Sequence, residues 1–259
     1  MQLIDTHTHI YLPEFDNDRD ETVQRAVNNH VVKLLMPNID IYSVDSMIAA
    51  ENRYNGICYS MIGLHPTSVK EDYLKQLDLI EEKATQHSFI AVGEIGIDLY
   101  WDKTFIQKQI AAFKRQILLA LKYKLPVVIH SRDSFQVVFE TLKDFEGSGI
   151  HGVFHAFTGD ILSAEKAIGM GFKLGIGGII TFKNSGLDSV VKEVGIEHII
   201  LETDSPYLAP TPFRGKRNES AHISIINRKI AEIFSIEIEE VASITYRNSI
   251  ELFKLPFDE

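Results

Sequence analysis

Eight short apolar runs recur along this 259-residue chain, and each is followed by a polar turn and an amphipathic segment. Several of the runs are continuously apolar rather than alternating, as expected for parallel strands that are covered on both faces. They span residues 3–5, 31–36, 58–62, 90–93, 127–129, 152–154, 173–176 and 198–201. This pattern predicts eight parallel strands.

The segments between the runs are typical of helices. In the clearest of them, residues 104–124, apolar side chains recur at helical spacing and form one stripe. The stripe consists of Ile106, Ile110, Phe113, Ile117 and Leu121. Further helices are predicted at residues 71–87, 134–145, 163–170, 187–194, 220–234 and 238–253.

Strands that alternate with helices over this length predict an α/β fold, a (β/α)8 TIM barrel that forms one domain over residues 1–259. A doubly wound open sheet is the alternative, but it normally carries a glycine-rich phosphate loop after its first strand. Here that position holds Thr6-His7-Thr8-His9. In a barrel, the C-terminal ends of all strands surround one mouth, where the active sites of such enzymes are built.

Six potential metal ligands stand at the ends of these runs. They are His7, His9, Glu94, His130, His155 and Asp204. Any one of them alone would more often be a structural or surface residue, but closure of a barrel would bring all six together. Because buried carboxylates and imidazoles at one place are costly without compensation, we expect a divalent cation among them. The set suits zinc, manganese or magnesium.

The order of these residues predicts a centre with two divalent ions. Residues two apart on a strand point to the same side, so His7 and His9 would bind one ion, with Asp204 as a further ligand. The other two histidines would bind the second ion, and Glu94 would bridge both. Two ions can polarise a phosphoryl or carbonyl oxygen and generate a bound hydroxide. Glu94 and Asp204 are the predicted catalytic residues, and Asp204 would be the general base.

Five further residues are predicted to bind substrate, namely His65, Arg132, Arg214, Lys216 and Arg217. His65 either contacts a phosphate or leaving group at the mouth or is a turn residue before Pro66. Arg132 either clamps a phosphate or pairs with a nearby acid such as Asp133. The last three form the densest basic cluster of the chain, which suits a phosphate backbone, although charge runs are usually solvated loops.

Seven motifs resemble those of the TatD-type metal-dependent hydrolases in order and spacing. They are His7-Thr8-His9, Gly63-Leu64-His65-Pro66, Gly93-Glu94-Ile95-Gly96-Ile97-Asp98, His130-Ser131-Arg132-Asp133, His155-Ala156-Phe157-Thr158-Gly159, Glu202-Thr203-Asp204-Ser205-Pro206-Tyr207-Leu208 and Arg214-Gly215-Lys216-Arg217-Asn218-Glu219. Each motif is weak alone, but together they cover nearly the whole chain. The resemblance implies an amidohydrolase-like barrel with two metals and deoxyribonuclease activity, often 3′–5′ exonuclease activity on single-stranded DNA, with some members acting on RNA.

The resemblance also implies a division of the ligands between the two ions. It assigns His7, His9, Glu94 and Asp204 to one metal, and Glu94, His130 and His155 to the other. Glu94 stands where many amidohydrolases carry a carboxylated lysine, and no lysine follows the fourth run. One departure is Ser220, where the family usually has proline, and this serine could cap the next helix.

Composition limits the partners and the location. The formal net charge of −10 repels nucleic acid at long range, so such a substrate would require a local basic rim or metal ions. Cys58 is the single cysteine, so no intrachain disulfide can form. The first residues lack a secretory signal and no run is long enough to span a bilayer, so we expect a cytoplasmic protein without membrane contact. No obligate protein partner is evident.

The preferred function is hydrolysis of phosphodiesters by metal-bound hydroxide, with single-stranded DNA as the expected partner. Tyr100 and Trp101, which follow Glu94, would either stack on an unpaired base or pack in the core. One alternative is hydrolysis of amide or ester bonds, such as aminoacyl esters, on the same two metals. A non-catalytic interaction barrel with a structural metal is a further alternative, but it would not require an open mouth.

Overall fold

Eight parallel strands form the inner layer of the fold in the computed structural model, which describes residues 1–256. Residues 257–259, which the single-domain prediction included, lie outside the described part. In chain order, the strands are Leu3–Asp5 (β1), Val31–Pro37 (β2), Cys58–Met61 (β3), Val92–Asp98 (β4), Val127–Arg132 (β5), Gly152–Phe154 (β6), Phe172–Ile176 (β7) and Ile199–Leu201 (β8). All eight predicted runs form strands.

The strands follow one another around the layer in sequence order and close it. Strands β1 to β3 form one parallel sheet, and strands β4 to β8 form another. At the first seam, a parallel bridge joins Ile62 to Val92, and the amide of Gly93 donates to the carbonyl of Ile62 at 2.8 Å. At the second seam, Thr8 forms a parallel bridge with Ser205. The predicted barrel is therefore confirmed.

Helices cover the outer face of the barrel. Within residues 1–256, the α-helices are Arg19–Asn28 (α1), Val44–Arg53 (α2), Tyr73–Gln86 (α3), Ile106–Tyr123 (α4), Phe135–Lys143 (α5), Ile161–Gly169 (α6), Leu187–Val194 (α7), Ile223–Phe234 (α8) and Ile238–Phe253 (α9). The sequence analysis missed α1 and α2, each of which has ten residues and buries three of them. None of the helices in this part of the chain is both long and apolar enough to cross a membrane.

The barrel interior is filled with side chains, and α9 covers its N-terminal end. Nearly every strand contributes an apolar residue to this inner cluster, and α9 packs against it. The members from the barrel wall are Ile4, Leu35, Met61, Ala91, Val128, Val153 and Ile200, and those from α9 include Tyr246 and Ile250. Because the lower part is packed, only the C-terminal end of the barrel is available for a site.

Two strands extend further towards the mouth than their apolar runs predicted. β4 was expected to end before Glu94, but it continues to Asp98, and β5 continues to Arg132. In the added part of β4, residues 94–98, Glu94 and Asp98 alternate with the apolar residues Ile95 and Ile97. Such alternation is also typical of a strand. Gly96 permits the close approach of β5, because its φ is +137° and a Cβ there would lie 2.1 Å from the carbonyl oxygen of His130.

The buried face of α4 offers a test of what holds the outer layer to the barrel. Phe113 is completely buried, whereas Leu118 on the same helix is 57% exposed. We expect Phe113→Ala to lower the free energy of unfolding by roughly 3–5 kcal/mol, because a large cavity would remain. Leu118→Ala should change it by less than about 0.5 kcal/mol. Urea denaturation followed by circular dichroism measures both, and equal losses would contradict the assigned packing.

Candidate metal centre

The six predicted ligands meet at the C-terminal end of the barrel, around the carboxylate of Glu94. Oε1 of Glu94 lies 2.6 Å from Nε2 of His155 and 2.9 Å from Nδ1 of His130. Oε2 of the same carboxylate lies 3.2 Å from Nε2 of His7 and 3.9 Å from Nε2 of His9. Each oxygen therefore faces a different pair of histidines, as a bridging carboxylate would.

Asp204 completes the group on the Oε2 side. Its Oδ1 atom lies 3.5 Å from Nε2 of His9 and 3.7 Å from Nε2 of His7. Ligand atoms of a tetrahedral ion with bonds of ~2.1 Å are about 3.4 Å apart, so these separations suit a shared ion. The backbone of Asp204 donates its N–H to the carbonyl of His7 at 2.9 Å. Its φ of +56° is left-handed, a conformation that aspartate adopts more readily than most residues.

His7 and His9 point in the same direction, but they do not lie in a strand. β1 ends at Asp5, so His7 and His9 both lie beyond it, and the predicted strand geometry is wrong at this point. The seam with β8 holds the segment instead. The amide of His9 donates to the carbonyl of Ser205 at 2.7 Å, and Thr8 bridges to the same residue. The predicted meeting of the two rings is present, but a loop produces it.

The nitrogen atoms of this cluster fit a metal site. Nε2 of His7 is buried, makes no hydrogen bond and faces carboxylate oxygens of Glu94 and Asp204. The ring of His7 stacks on that of His155 with centroids 3.9 Å apart, which restricts its rotation. A buried imidazole nitrogen that faces two carboxylates without a directed hydrogen bond has the position expected of a metal ligand. This donor set accepts zinc, manganese or magnesium.

The electrostatics of the cluster keep Glu94 ionised. Burial alone would raise the pKa of its carboxyl, but the surrounding imidazoles, His155 foremost, lower that pKa well below the usual range. Burial likewise disfavours a charged ring at His155, yet the attraction of the Glu94 and Glu202 carboxylates raises the pKa of His155 well above its usual value. The pocket therefore favours positive charge, for which protons and divalent cations would compete.

Asp98 is a carboxylate to which the sequence analysis gave no role. Its Oδ2 atom lies 2.9 Å from Nε2 of His130, and its other oxygen accepts a hydrogen bond from the amide of Tyr100 at 3.0 Å. With Nε2 engaged, the Nδ1 atom of His130 faces Glu94. The signal that could have found Asp98 is its spacing, because residues four apart in one strand, such as Glu94 and Asp98, share a face.

Glu202 is a second buried carboxylate behind a predicted ligand. Its Oε1 atom accepts a hydrogen bond from the amide of Ala156 at 2.6 Å and lies 3.7 Å from Nδ1 of His155. Gly175 in β7 makes room for this side chain, because a Cβ at that position would lie 2.2 Å from Oε2 of Glu202. Glu202 stands two residues before Asp204, and nothing in its immediate sequence distinguishes the two carboxylates.

His65 lies closer to the centre than a substrate contact at the rim would. Its Nε2 atom is 3.1 Å from Oε1 of Glu94, and its ring centroid is 4.6 Å from that of His130. His65, Glu94 and His130 could even form a metal-binding group by proximity alone. The structure therefore brings His65 together with the six predicted ligands.

A cavity of about 670 Å³ leads to this cluster. Trp101, Arg132 and Tyr207 form part of its wall. Tyr100 and Trp101 are 53% and 70% exposed, so these two rings do not pack in the core. The guanidinium of Arg132 lies 3.7 Å from the ring centre of Tyr100, and such stacking leaves the N–H edges of the guanidinium available.

The basic loop lies away from the cavity. Arg217 donates to both carboxylate oxygens of Asp18 at 2.7 Å, and Arg214 stacks on Phe182 at 4.2 Å. Among the described residues, neither these two arginines nor Lys216 lines the cavity. The geometry of Arg217 favours a structural role, and substrate contacts by the three basic residues stay a prediction.

The same loop is fastened to α1. Arg25 in α1 donates from Nε to both oxygens of Glu219, at 3.0 and 3.1 Å, and from Nη2 to Asp18 at 3.0 Å. The hydrogen bond from Arg217 lowers the pKa of Asp18 well below its usual range; partial burial opposes this, and the bond from Arg25 adds to it. We call Asp18, Arg25, Arg217 and Glu219 the loop clamp.

Ser220 does not cap a helix, contrary to expectation. It is the first residue of a short 3-10 turn, Ser220–His222, and α8 begins only at Ile223. The Ser220 side chain is buried, and its hydroxyl lies 3.4 Å from Oγ1 of Thr8. A serine in place of the family's usual proline therefore adds a polar contact to the seam between β1 and β8.

Comparison with known proteins places the chain in a family. The model of the family described as TatD related DNase matches residues 4–254. This chain belongs to that family. The TatD resemblance of the seven motifs is thereby confirmed, and the match extends over nearly all described residues.

Individual relatives agree with the family match. The chain is 35% identical to the uncharacterized metal-dependent hydrolase YabD of Bacillus subtilis (strain 168), over 98% of this chain and 99% of the relative. Among solved structures, the TatD homologue YjjV of Escherichia coli K12 superposes with a TM-score of 0.92 at 28% identity, covering 98% of both chains. A TatD family hydrolase from Entamoeba histolytica gives a TM-score of 0.83 at 25% identity, covering 97% of this chain and 98% of that one.

The loop clamp offers a test through pH. Because the pKa of Asp18 is lower in the folded chain than in the unfolded one, its contribution to stability is present above pH ~4, its unfolded pKa, and is lost as pH falls through the folded pKa. We expect Asp18→Asn to lower the free energy of unfolding at pH 7 by up to about 1 kcal/mol, since the pairs are partly exposed.

The difference between wild type and D18N should shrink at pH 3, as measured by urea denaturation at both pH values. Asp144→Asn is the matched control, because Asp144 forms an exposed pair with Lys114. A D18N effect of the same size at both pH values would contradict the clamp.

Proposed function

We propose that this chain is a metal-dependent hydrolase that uses two divalent ions to cleave phosphodiester bonds of nucleic acid, chiefly single-stranded DNA. The observation that carries the proposal is the position of Glu94. Its Oε2 faces His7 and His9, and its Oε1 faces His130 and His155. A carboxylate with one oxygen towards each of two ligand groups suits a dinuclear centre.

The division of ligands follows from the same distances. His7, His9, Asp204 and Oε2 of Glu94 would hold one ion, and His130, His155 and Oε1 of Glu94 would hold the other. Bound divalent ions supply a Lewis acid that polarises the phosphoryl group and lowers the pKa of water to near neutrality. The relatives described as metal-dependent hydrolases support this reading.

Asp204 is the residue that would accept the proton of the attacking water. Its side chain is 14% exposed, whereas that of Glu94 is 4% exposed, so Asp204 is the more accessible of the two carboxylates. It also lines the cavity that admits substrate. Attraction within the cluster keeps it ionised: burial opposes this, but the hydrogen bond with His9 lowers the pKa of Asp204. An ionised, accessible carboxylate is suited to receive a proton.

The cavity wall supports a phosphodiester rather than a carbonyl substrate. Arg132 is the residue there whose guanidinium N–H groups match phosphate oxygens in pairs. Tyr100 and Trp101 beside it offer exposed rings on which unpaired bases can stack. A base can reach these rings only when it is free of a duplex, which favours a single strand. The family description as DNase points the same way.

Loss of the central negative charge should lower both metal binding and activity. We expect Glu94→Gln to lower hydrolysis of single-stranded DNA by more than about 100-fold. Changing a residue that only supports a metal ligand costs up to about 100-fold, and the loss of a ligand itself should cost more. Metal content per chain, measured by plasma mass spectrometry after reconstitution, should fall below that of wild type.

Glu165→Gln changes an exposed glutamate on α6 and should alter neither quantity. Full metal content together with full activity in E94Q would contradict the proposal. Turnover of ester or amide substrates by wild type, with DNA left intact, would instead favour carbonyl chemistry.

The aromatic residues at the rim should matter for strands that carry bases but not for an abasic strand. Loss of one base stack costs about 1–3 kcal/mol, so Trp101→Ala should raise KM for single-stranded DNA roughly 5- to 150-fold. The KM for an abasic single strand, which has the same sugar-phosphate backbone but no aromatic ring to stack, should change by less than about twofold.

Tyr123→Ala is the control, because Tyr123 is a partly exposed ring at the C-terminal end of α4, far from the mouth. Equal loss on both substrates would mean that Trp101 supports the centre itself rather than binding a base.

A further inference from the structure

The ring of His65 is held by the residue two positions later. His65 precedes a 3-10 turn, Pro66–Ser68, and its Nδ1 atom faces the first amide that the turn leaves free. The amide of Thr67 donates to this Nδ1 at 3.2 Å, and the hydroxyl of Thr67 lies 2.6 Å from the same atom. Two groups of one residue therefore converge on a single ring nitrogen.

These contacts fix where the proton of a neutral His65 resides. A backbone amide can only donate, so Nδ1 of His65 must accept and cannot carry a hydrogen. If Nδ1 instead carried the hydrogen and donated it to the hydroxyl of Thr67, two N–H groups would face each other. The neutral ring therefore carries its proton on Nε2, and that atom points at Oε1 of Glu94 from 3.1 Å.

His130, the adjacent imidazole, has the opposite arrangement. Its Nε2 atom is engaged by Asp98 at 2.9 Å, and its Nδ1 atom faces Glu94 at 2.9 Å. A proton on Nε2 of His130 leaves a lone pair on Nδ1, which is what a metal ligand requires. His65 and His130 therefore approach the same carboxylate oxygen with different chemistry, one as a donor and the other with a free lone pair.

We propose that Thr67 is a positioning residue that fixes His65 as an Nε2–H hydrogen-bond donor to the phosphoryl oxygen of the substrate, rather than as a metal ligand. This proposal rests on the phosphodiesterase function proposed above. His65 and Thr67 both line the cavity, so substrate can reach the N–H group. A fixed donor at this point stabilises negative charge that develops on a non-bridging oxygen, and it requires no transfer of a proton.

Protein loaded with zinc or magnesium, both diamagnetic, allows a direct test. Nitrogen-15 NMR of labelled histidine side chains distinguishes a protonated ring nitrogen from an unprotonated one, and His65→Gln identifies the His65 signals. We expect His65 to carry its hydrogen on Nε2 in the metal-loaded protein. A signal with hydrogen on Nδ1 and metal on Nε2 would overturn the proposal.

The number of bound ions gives a second measurement. His65→Ala should retain the metal content of wild type while kcat on single-stranded DNA falls about 100- to 1000-fold, as for loss of one oxyanion donor. His65→Gln, whose amide can donate from a similar position, should recover part of this loss. Loss of an ion in H65A would instead identify His65 as a ligand.

Thr67 offers a matched pair of variants. Thr67→Val keeps the shape but removes the hydroxyl, and we expect kcat to fall roughly 3- to 10-fold with little change in KM, the effect of one hydrogen bond. Thr67→Ser, which retains the hydroxyl, should keep most of the activity that T67V loses. Equal activity of T67V, T67S and wild type would contradict the role of the hydroxyl.

The two proposals can fail separately. If the protein hydrolyses no phosphodiester but His65 still carries its hydrogen on Nε2 and H65A keeps its metal, the proposed substrate is wrong and the assignment of His65 as a donor stands. If DNA is hydrolysed and H65A loses an ion, the function stands and the role given to His65 is wrong.

Discussion

The carboxylate of Glu94 is the group on which the site depends. It is buried at the end of the barrel, where an isolated carboxylate would be protonated or would destabilise the fold. Imidazoles from β5 and from the segments after β1, β3 and β6 stand around it, and they lower its pKa although burial opposes them. These segments are far apart in sequence, and closure of the barrel is what brings them to one oxygen pair. Closure of the barrel therefore also supplies the groups that balance the charge of Glu94.

The two sides of Glu94 are supported in different ways. On the Oε2 side, a buried polar seam joins β1 to β8: Asp5 accepts from the amide and the hydroxyl of Thr203, at 2.9 and 2.5 Å, and Thr8 bonds to Ser205 at 2.6 Å. Such networks are strong in a low dielectric, so the loops that carry the ligands of this side are held together as one body. On the Oε1 side, each histidine is backed by a different residue: Asp98 bonds to His130 at 2.9 Å, Thr67 contacts His65 at 2.6 Å, and Glu202 lies 3.7 Å from His155. One connected polar seam therefore supports the first side, whereas a separate residue supports each ring of the second.

Sequence reasoning predicted the barrel and the convergence of the six candidate ligands for identifiable reasons. Apolar runs mark strands, and polar residues at their ends mark the mouth, so convergence could be deduced without coordinates. The pairing of side chains could not be deduced: the spacing of Asp98 from Glu94 indicates a shared face but not its bond to His130, and Glu202 looks like other acidic residues until β7 is placed beside it. The charge of Arg217 suggested a phosphate contact, which stays a prediction, and the sequence pattern did not reveal that Asp18, directly before α1, pairs with this arginine. The local sequence pattern identifies which residues lie at the ends of strands. It does not identify the pairing of their side chains, because the partners are remote in sequence.

The acidic balance of the chain is compatible with a nucleic acid substrate because the decisive charges are local. Repulsion from distant surface carboxylates is largely screened beyond about 8–10 Å at physiological salt. Within the site stand the carboxylates of Glu94, Asp98, Glu202 and Asp204, which together carry four negative charges when ionised. Two divalent ions would offset these four charges and leave the imidazoles neutral. Among the described residues that line the cavity, Arg132 is the single lysine or arginine, so its charge would then dominate the mouth. Under the proposed function, metal loading and attraction of a phosphate would therefore be coupled through the same carboxylates, because a centre without its ions would repel the substrate that the loaded centre would cleave.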